Sequence, residues 1–185
     1  MLDELIEGCR RQDRRAQLAL YRKYARGMFS VALRMLRNEA DAEDMTQEAF
    51  IRAFRKMDQF EGNVAFGAWL KRIVVNRCLD FLKVREPVFE PLEEQWLSVA
   101  DEDDGGWDVD REVGAEQVLG AIETLPDHYR WIVQLYLVEG YDHREISEIL
   151  GLKETTCRTR LMRGKTLLKE QLKTANYVER SQNRI

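Results

Sequence analysis

The chain has 185 residues, with 29 Lys and Arg against 33 Asp and Glu, a formal net charge of −4 and 44% apolar residues. This composition is typical of a soluble, helix-rich globular protein with one medium or two small domains, and it excludes disordered and fibrous classes. The longest apolar runs span only a few residues, such as 73–75, whereas a membrane span needs about 20. The N-terminus is charged from Asp3 onward and has no apolar signal core, so we expect a cytoplasmic protein.

Charge divides the sequence into three segments. Residues 1–84 carry a net charge of +4, residues 85–112 carry −9, and residues 113–185 carry +1. The acidic middle segment holds two of the three prolines and a Gly-Gly pair, which oppose helix. We therefore predict an all-α protein with two small helical domains joined by an acidic flexible linker. Aromatic residues such as Trp96 leave two alternatives for this linker, docking on a surface or full solvation.

Two amphipathic helices are predicted in the first domain. Between Asp13 and Asn38 apolar residues recur at three- and four-residue steps, as on one face of a helix. A second helix is predicted to begin at Asp41, whose side chain can cap it, with Asp44 in the first turn, where acidic groups suit the helix dipole. The core positions expected along it are Met45, Ala49, Ala53, Phe54 and Met57, with Ile51 out of phase.

The segment FEGNVAFGAWL, residues 60–70, is predicted to break this helix at Gly62-Asn63 and to start a third helix. Three aromatic residues in it precede a run of basic ones. They are Phe60, Phe66 and Trp69, followed by Lys71, Arg72, Arg77 and Lys83. Either the aromatic residues are core beside a solvated basic face, or they belong to a surface for single-stranded nucleic acid, where rings stack on bases and cations bind phosphates.

In the second domain, residues 113–139 predict a helical pair. Pro126 is expected just inside the second helix, where its missing N–H is not needed, and Gly140 is expected to close it in a left-handed conformation. These two signals bound the second helix at both ends.

A helix-turn-helix pattern follows. Asp142 and Glu145 have the spacing of a capping box, Gly151 breaks the helix, and a basic helix begins near Glu154. This order of a short helix, a Gly-containing turn and a basic helix is typical of DNA-binding domains.

The basic helix has two faces on a helical wheel. The side expected to face the core carries Cys157, Leu161, Leu168 and Leu172. The opposite side carries Thr155, Thr159, Met162, Arg163 and Thr166, with Arg158 and Arg160 at the flanks. Thr and Met can contact base edges and thymine methyl groups, and Arg can bind guanine or phosphate, so this face suits a DNA major groove. A solvated charged helix is the alternative.

We predict no metal site, no cofactor and no catalytic residues. The three cysteines are far apart and expected to be reduced and buried, and the two lone histidines have no metal-ligand spacing. The carboxylates of Asp101–Asp104 lie in a flexible run without the rigid frame that a metal site needs. We therefore expect a binding protein and not an enzyme.

Four segments, in order, resemble the extracytoplasmic-function group of bacterial RNA polymerase sigma factors. They are DAEDMTQEAFIRAF, FGAWLKRIVVNRCLDFLK, LPDHYRWIVQLYLVEGYDHREISEILGL and TTCRTRLMRGKTLL, with the acidic linker in between. The resemblance covers nearly the whole chain and implies sigma region 2 over residues 1–84, a linker over 85–112, region 4 over 113–174 and a tail over 175–185. Many relatives have Gly-Thr-Val where this chain has Thr155-Thr156-Cys157, so Cys157 is expected to replace a core Val.

The resemblance also implies three sets of contact residues. The clamp coiled coil of core polymerase is expected at Asp41, Asp44, Gln47, Glu48, Phe50 and Arg52, where Phe50, like Phe54, is either core or interface. The −10 element, as unpaired bases and backbone, is expected at Phe60, Gly62, Asn63, Val64, Lys71, Arg72, Asn76 and Arg77. The −35 element, as duplex, is expected at Thr155, Arg158, Thr159, Met162, Arg163 and Lys165.

The implied function is that of a dissociable specificity subunit. It would bind core RNA polymerase at the clamp and the flap and direct initiation by recognising −10 and −35 promoter DNA. A cognate anti-sigma protein is a further implied partner, and no direct membrane insertion is expected. The alternative is a stand-alone helix-turn-helix regulator, which would bind specific duplex DNA tightly without polymerase.

Overall fold

The computed structural model describes residues 2–85 and 113–182, with side chains described up to residue 174. These residues form two compact units, one in each range. Both units are helical and the two described ranges contain no strand, which confirms the predicted all-α class. The acidic run Asp101–Asp104 and the aromatic residues near it lie outside the described residues.

Within the described ranges, no helix combines the length and the apolar character that a membrane crossing requires.

The first unit contains four α-helices and one 3₁₀ turn. They are α1 (Leu2–Arg10), α2 (Arg14–Leu36), α3 (Glu39–Arg55), the turn Met57–Gln59 and α4 (Phe66–Arg85). Helices α2, α3 and α4 pack against one another, and α1 packs on α2. The sequence pattern predicted α2, α3 and α4 but missed α1, whose short apolar stripe of Ile6 and Cys9 is buried. A Cβ atom at Gly8 would lie 2.6 Å from the Ala16 Cβ, so glycine permits the close contact of α1 with α2.

The start of α3 differs from the prediction. The Asn38 side chain, and not Asp41, caps the helix, because its Oδ1 accepts a hydrogen bond of 3.0 Å from the Asp41 backbone N–H. The Asp41 carboxylate instead accepts a 2.5 Å hydrogen bond from Arg85 at the end of α4. The helix also ends earlier than predicted, at Arg55, so Gly62 lies in the following loop with a φ of +80°.

The core of the first unit contains most of the apolar residues expected along α3. Met45, Ala49, Ala53 and Met57 are buried, whereas the out-of-phase Ile51 is 51% exposed. The structure places Phe50 in the core as well, with only 2% of its surface exposed. Its ring contacts that of Tyr21 edge-on, with centroids 4.8 Å apart. Of the two roles expected for Phe50, core and interface, the structure therefore shows the core role.

The second unit contains the predicted helical pair and the helix-turn-helix. Its elements are α5 (Ala115–Glu123), α6 (Asp127–Val133) with a π-helical turn over Gln134–Val138, α7 (His143–Leu150) and α8 (Glu154–Gln182). Pro126 occupies the N-cap position of α6, just before the first helical residue and not just inside the helix as predicted. Gly140 has a φ of +75° and ends the π-helical turn as expected. The backbone of α8 continues eight residues beyond the expected region 4 boundary at residue 174.

Local signals position the helix-turn-helix as predicted. The Asp142 Oδ1 accepts a hydrogen bond from the Glu145 backbone N–H (2.8 Å), and the Glu145 Oε2 accepts one from the Asp142 backbone N–H (3.0 Å). Gly151 ends α7 with a φ of +68°, a conformation that glycine adopts without the steric penalty of a Cβ atom. The capping box and the glycine thus fix both ends of α7.

All three cysteines are reduced and buried, as predicted. Burial raises the pKa of the Cys9 thiol to about 11 and that of Cys78 to about 12. Burial is also the main cause that raises the pKa of Cys157. Because the thiolate is the reactive form, these thiols are chemically inert in the folded chain, and Cys157 is a core residue.

The contact between α6 and α8 depends on Gly164. A Cβ atom at this position would lie 2.5 Å from the Val133 Cγ2 and 3.3 Å from the Tyr129 Cβ, both on α6. Only glycine therefore allows the two helices to approach this closely. The contact sets the rotation of α8 about its own axis.

We expect Gly164→Ala to destabilise the second unit by about 1–3 kcal/mol, because the added methyl group overpacks the α6–α8 contact. Gly120→Ala is the matched control, since a Cβ at Gly120 in α5 meets no atom within 4 Å. The control should be neutral or stabilise by up to about 1 kcal/mol through helix propensity. Urea unfolding of the full chain measures the stability of both variants. A Gly164→Ala variant as stable as wild type would contradict the requirement for glycine at the α6–α8 contact.

Candidate functional site

The outward face of α8 is the first candidate interface. Thr155, Arg158 and Met162 are exposed, and Thr159 and Arg163 are half-buried beside them. The opposite side is anchored in the core by Cys157, Leu161 and Leu168, each at most 2% exposed. The structure thus brings five of the six residues predicted for duplex contact to one surface.

Lys165, the sixth residue, lies on the other side of α8. It is only 8% exposed, and its ammonium group lies 5.2 Å from the centroid of the Tyr136 ring. A lysine stem buries along apolar surface, and an aromatic face attracts the ammonium group. Lys165 therefore packs within the second unit and is not part of the exposed face.

Arg158 is held by an ion pair within α8. Its Nη2 and Nε donate to the Glu154 Oε1 at 2.7 Å and 3.2 Å. The side chains are 61% and 43% exposed, and an exposed pair of this spacing contributes only about 0.3–0.5 kcal/mol. Arg158 can therefore exchange Glu154 for another acceptor at little free-energy cost.

The loop between the 3₁₀ turn and α4, residues 60–65, is the second candidate interface. Phe60 is 5% exposed, and its ring contacts those of Phe66 and Trp69, with centroids 5.5 Å and 5.3 Å apart. Of the two roles left open by the sequence, the ring of Phe60 has the core role here. The loop itself is exposed, and Val64 is 55% exposed.

Two hydrogen bonds organise this loop. The Phe60 carbonyl accepts a hydrogen bond of 2.6 Å from the Nη2 of Arg10 on α1. The Asn63 side-chain amide donates to the Glu61 carboxylate at 2.9 Å. The sequence did not indicate that Arg10 contacts this loop, because its partner is a backbone carbonyl 50 positions away.

The α4 residues that the resemblance assigns to the −10 element differ in their surroundings. Arg72 is exposed, and Lys71 and Asn76 are half-buried. Arg77 forms ion pairs with Glu48 on α3 and, at 3.5 Å, with Asp80 on α4. Arg77 therefore bridges the two helices, in contrast to the exposed Arg72.

The exposed face of α3 is the third candidate interface. Asp44, Gln47, Glu48 and Arg52 are exposed on it, whereas Asp41 is half-buried. Gln47 donates to Glu43 at 3.2 Å, and Arg52 lies 4.0 Å from Asp80. This surface carries both acidic and basic side chains and suits a partner with complementary charged and polar groups.

Among the described residues, no group of three or more His, Cys, Asp or Glu could hold a metal ion. The three candidate surfaces carry hydrogen-bonding, charged and apolar groups, which can contact other macromolecules.

Two family models match the chain, one to each unit. The first, described as Sigma-70 region 2, matches residues 20–86, and the second, described as Sigma-70, region 4, matches residues 115–168. Together they match more than half of the chain.

The chain is similar to curated sigma factors. It is 36% identical to the ECF RNA polymerase sigma factor SigE of Mycolicibacterium smegmatis, over 83% of this chain and 60% of that relative. It is 31% identical to the ECF RNA polymerase sigma factor SigW of Bacillus subtilis, over 94% of this chain and 97% of that relative. Among solved structures, the sigma factor RpoE of Bartonella quintana, in complex with the anti-sigma factor NepR, matches with a TM-score of 0.56 and 21% identity. That match covers 84% of this chain and 95% of the other.

We expect Arg10→Met to loosen the 60–65 loop, because the Phe60 carbonyl loses a charge-assisted hydrogen bond while the apolar stem is kept. Amide exchange of this loop, followed by mass spectrometry, should accelerate about tenfold, which corresponds to the loss of one such bond. Arg11→Met is the matched control, since Arg11 is exposed and its side chain forms no hydrogen bond with the part of the chain that the structure describes. Equal exchange in both variants would contradict a positioning role for Arg10.

Proposed function

Because the chain belongs to the extracytoplasmic-function sigma factors, which direct promoter-specific initiation by bacterial RNA polymerase, we propose the roles of its two units. Residues 1–84 act as sigma region 2, which binds core polymerase and captures unpaired bases of the −10 element. Residues 113–174 act as sigma region 4, which reads the −35 element as duplex. The positions of the matched family models, 20–86 and 115–168, support this division.

The observation that carries the proposal is the two-sided character of α8. One side is fixed in the core, and the other presents hydroxyl, thioether and guanidinium groups on a capped helix-turn-helix. In a major groove Arg158 and Arg163 bind guanine or phosphate, and Met162 contacts thymine methyl groups. Threonine hydroxyls at 155 and 159 add hydrogen bonds to base edges or phosphates.

In the first unit, the 60–65 loop receives a base that has left the duplex. Base capture needs a pocket with polar groups for the base edge and an apolar surface for its face. Asn63 and Val64 are exposed there and supply these groups, and Gly62 lets the backbone turn closely around the base. Phe60 supports the loop from the core and does not contact the base itself.

Polar and basic residues of α4 lie next to this loop. Lys71, Arg72 and Asn76 contact the DNA backbone near the unpaired bases. Arg77 acts indirectly, because its ion pairs with Glu48 and Asp80 hold α4 against α3.

The clamp coiled coil of core polymerase binds the exposed face of α3. These contacts come from Asp44, Gln47, Glu48 and Arg52. Asp41 contributes from the first turn of α3. Phe50 supports the face from the core, where its ring packs against Tyr21. RNA synthesis itself belongs to the polymerase, and this chain has the role of a specificity subunit without catalytic residues.

Further partners follow from the family. The Bartonella quintana structure contains an anti-sigma factor, and we propose that a cognate anti-sigma protein also holds this chain until initiation is required. The proposed place of action is the cytoplasm. The acidic segment 85–112, of which only Arg85 is among the described residues, would follow the positively lined channels of the polymerase as a nucleic-acid mimic.

The decisive experiment is promoter-specific run-off transcription with purified core polymerase, with and without the chain. Transcripts that need both components support the proposal. Specific duplex binding by the chain alone would indicate a stand-alone helix-turn-helix regulator.

We expect Arg158→Ala and Arg163→Ala to reduce run-off transcription from a −35-dependent promoter by roughly 5- to 150-fold each, the value of one good base contact. Affinity for core polymerase should remain unchanged, because α3 is intact. Lys173→Ala is the control, an exposed residue farther along α8. Loss of polymerase binding or of folding in the two arginine variants would show that this face of α8 has another role.

We expect Asp44→Lys to weaken the binding of core polymerase by at least about tenfold, because the substitution reverses a charge at the centre of the α3 face. Asp3→Lys makes the same charge change on an exposed residue of α1 and should have no effect. Fluorescence anisotropy of the labelled chain, titrated with core polymerase, measures both. Equal affinities for the two variants would mean that polymerase docks elsewhere.

A further inference from the structure

Glu61 carries the one acidic side chain of the 60–65 loop, and none of the contacts proposed so far involves it. It is exposed, and its Oε2 accepts the 2.9 Å hydrogen bond from the Asn63 Nδ2. Gly62, between the two residues, bends the chain with a φ of +80°. A Cβ atom at Gly62 would meet no atom within 4 Å, so glycine is needed there for this conformation and not for space.

The hydrogen bond to Glu61 fixes which end of the Asn63 amide faces outward. An ionised carboxylate has only acceptor atoms, whereas a side-chain amide has an oxygen acceptor at one end and an NH2 donor at the other. If the amide were turned end for end, its oxygen would face the carboxylate, and two acceptors would repel each other. The NH2 end therefore turns toward Glu61. The Asn63 Oδ1 accepts no hydrogen bond from any residue that the structure describes.

A base that enters the loop therefore meets an acceptor at residue 63. Cytosine and adenine carry an exocyclic amino group, which donates to such an acceptor, whereas thymine and guanine carry a carbonyl oxygen at the corresponding ring position. That carbonyl oxygen would face the amide oxygen with water excluded, and an acceptor buried without a donor is unfavourable. The orientation of the amide thus discriminates between the two classes of base.

We propose that Glu61 sets the base preference of the 60–65 loop: by orienting the Asn63 amide, it makes the loop select a captured base with an exocyclic amino group, cytosine or adenine. This inference rests on the base capture proposed for the first unit and names the base chemistry that this capture prefers. Asn63 is the contact residue. Glu61 is a positioning residue, which acts on the base through Asn63.

The test uses holoenzyme reconstituted from core polymerase and the full chain, with promoter DNA whose −10 element is kept unpaired by a mismatched template strand. An abasic nucleotide at each nontemplate position in turn identifies the captured base, because binding is weakened most where that base is missing. Two matched pairs are then compared at this position, cytosine with uracil and adenine with hypoxanthine. Within each pair the bases differ only in an amino group or a carbonyl oxygen.

Wild type should bind the amino member of at least one pair about tenfold more tightly than the carbonyl member, as expected for one satisfied base contact. The pair that shows this preference, or the pair with the tighter amino member where both do, identifies the captured base as cytosine or adenine. Equal affinity for both members of both pairs would overturn the proposal.

Three variants test whether Glu61 sets this preference. Glu61→Lys replaces acceptors by donors, so the Asn63 oxygen turns toward the ammonium group and the NH2 end faces outward. The carbonyl member of the pair should then be favoured. Glu61→Gln can donate or accept, which should bring the ratio of the two affinities to about one. Glu61→Lys combined with Asn63→Asp places an acceptor outward in either orientation and should restore the preference for the amino member.

Asp58→Lys is the matched control for charge. Asp58 is exposed in the 3₁₀ turn just before the loop, so the same charge change occurs nearby without a change in the partner of Asn63. Added positive charge acts on both members of a pair alike, and the preference should remain that of wild type. The substituted side chains are all exposed, so the variants should unfold at the temperature of wild type.

The outcomes separate this role of Glu61 from base capture itself. A preference that inverts in Glu61→Lys and returns in the double variant supports the proposal, because a structural role of Glu61 would weaken the binding of both bases alike. If Glu61→Lys keeps the wild-type preference while an abasic nucleotide still weakens binding at one position, base capture stands and the role of Glu61 is wrong. If no abasic position in the −10 element weakens binding, both are wrong. If Asp58→Lys shifts the preference as far as Glu61→Lys, local charge sets it, and the proposal is overturned.

Discussion

The architecture of the second unit depends on the close contact of α6 with α8 at Gly164. Since no Cβ atom separates the helices there, Val133 and Tyr129 fit directly against the α8 backbone. This contact, together with Cys157 and Leu161, fixes the rotation of α8 about its axis. The rotation in turn determines which cations are buried and which are exposed. Only because it is fixed does a helix with basic residues on several sides present one defined face to solvent.

The first unit has an equivalent constraint in its aromatic cluster. The rings of Phe60, Phe66 and Trp69 are in mutual contact and anchor both ends of the 60–65 loop. Arg10 then holds the Phe60 carbonyl from α1, so the N-terminal helix acts on a loop distant in sequence. For the base capture that we propose, such support matters, because a pocket that must be ordered during binding loses affinity to that ordering.

Sequence patterns predicted the features that depend on neighbours in the chain. The capping box of α7, the helix end at Gly151 and the core side of α8 are local, and all three are confirmed. The start of α3 was predicted wrongly, because Asn38 and Asp41 are both good caps and only the backbone geometry selects between them. Whether Phe50, Phe60 and Lys165 are buried depends on residues of other helices, which periodicity does not reveal. The wheel placed Arg160 at a flank of the outward face, but the structure buries it, with only 8% of its surface exposed.

The outward face of α8 carries only two cations, Arg158 and Arg163, which bears on how an acidic chain could bind DNA in the role that we propose. Two phosphate contacts would lose only about 12-fold in affinity between roughly 50 and 200 mM salt, whereas six to ten contacts lose about 10³- to 10⁵-fold. We therefore expect this surface to bind duplex DNA weakly by itself and to lose less affinity with salt than a larger basic surface would. Stable promoter binding then requires that polymerase join this contact to the one made by the first unit, since linked sites bind with a high effective concentration. A weak surface of this kind would make promoter recognition conditional on the polymerase, which is the property that a dissociable specificity subunit needs.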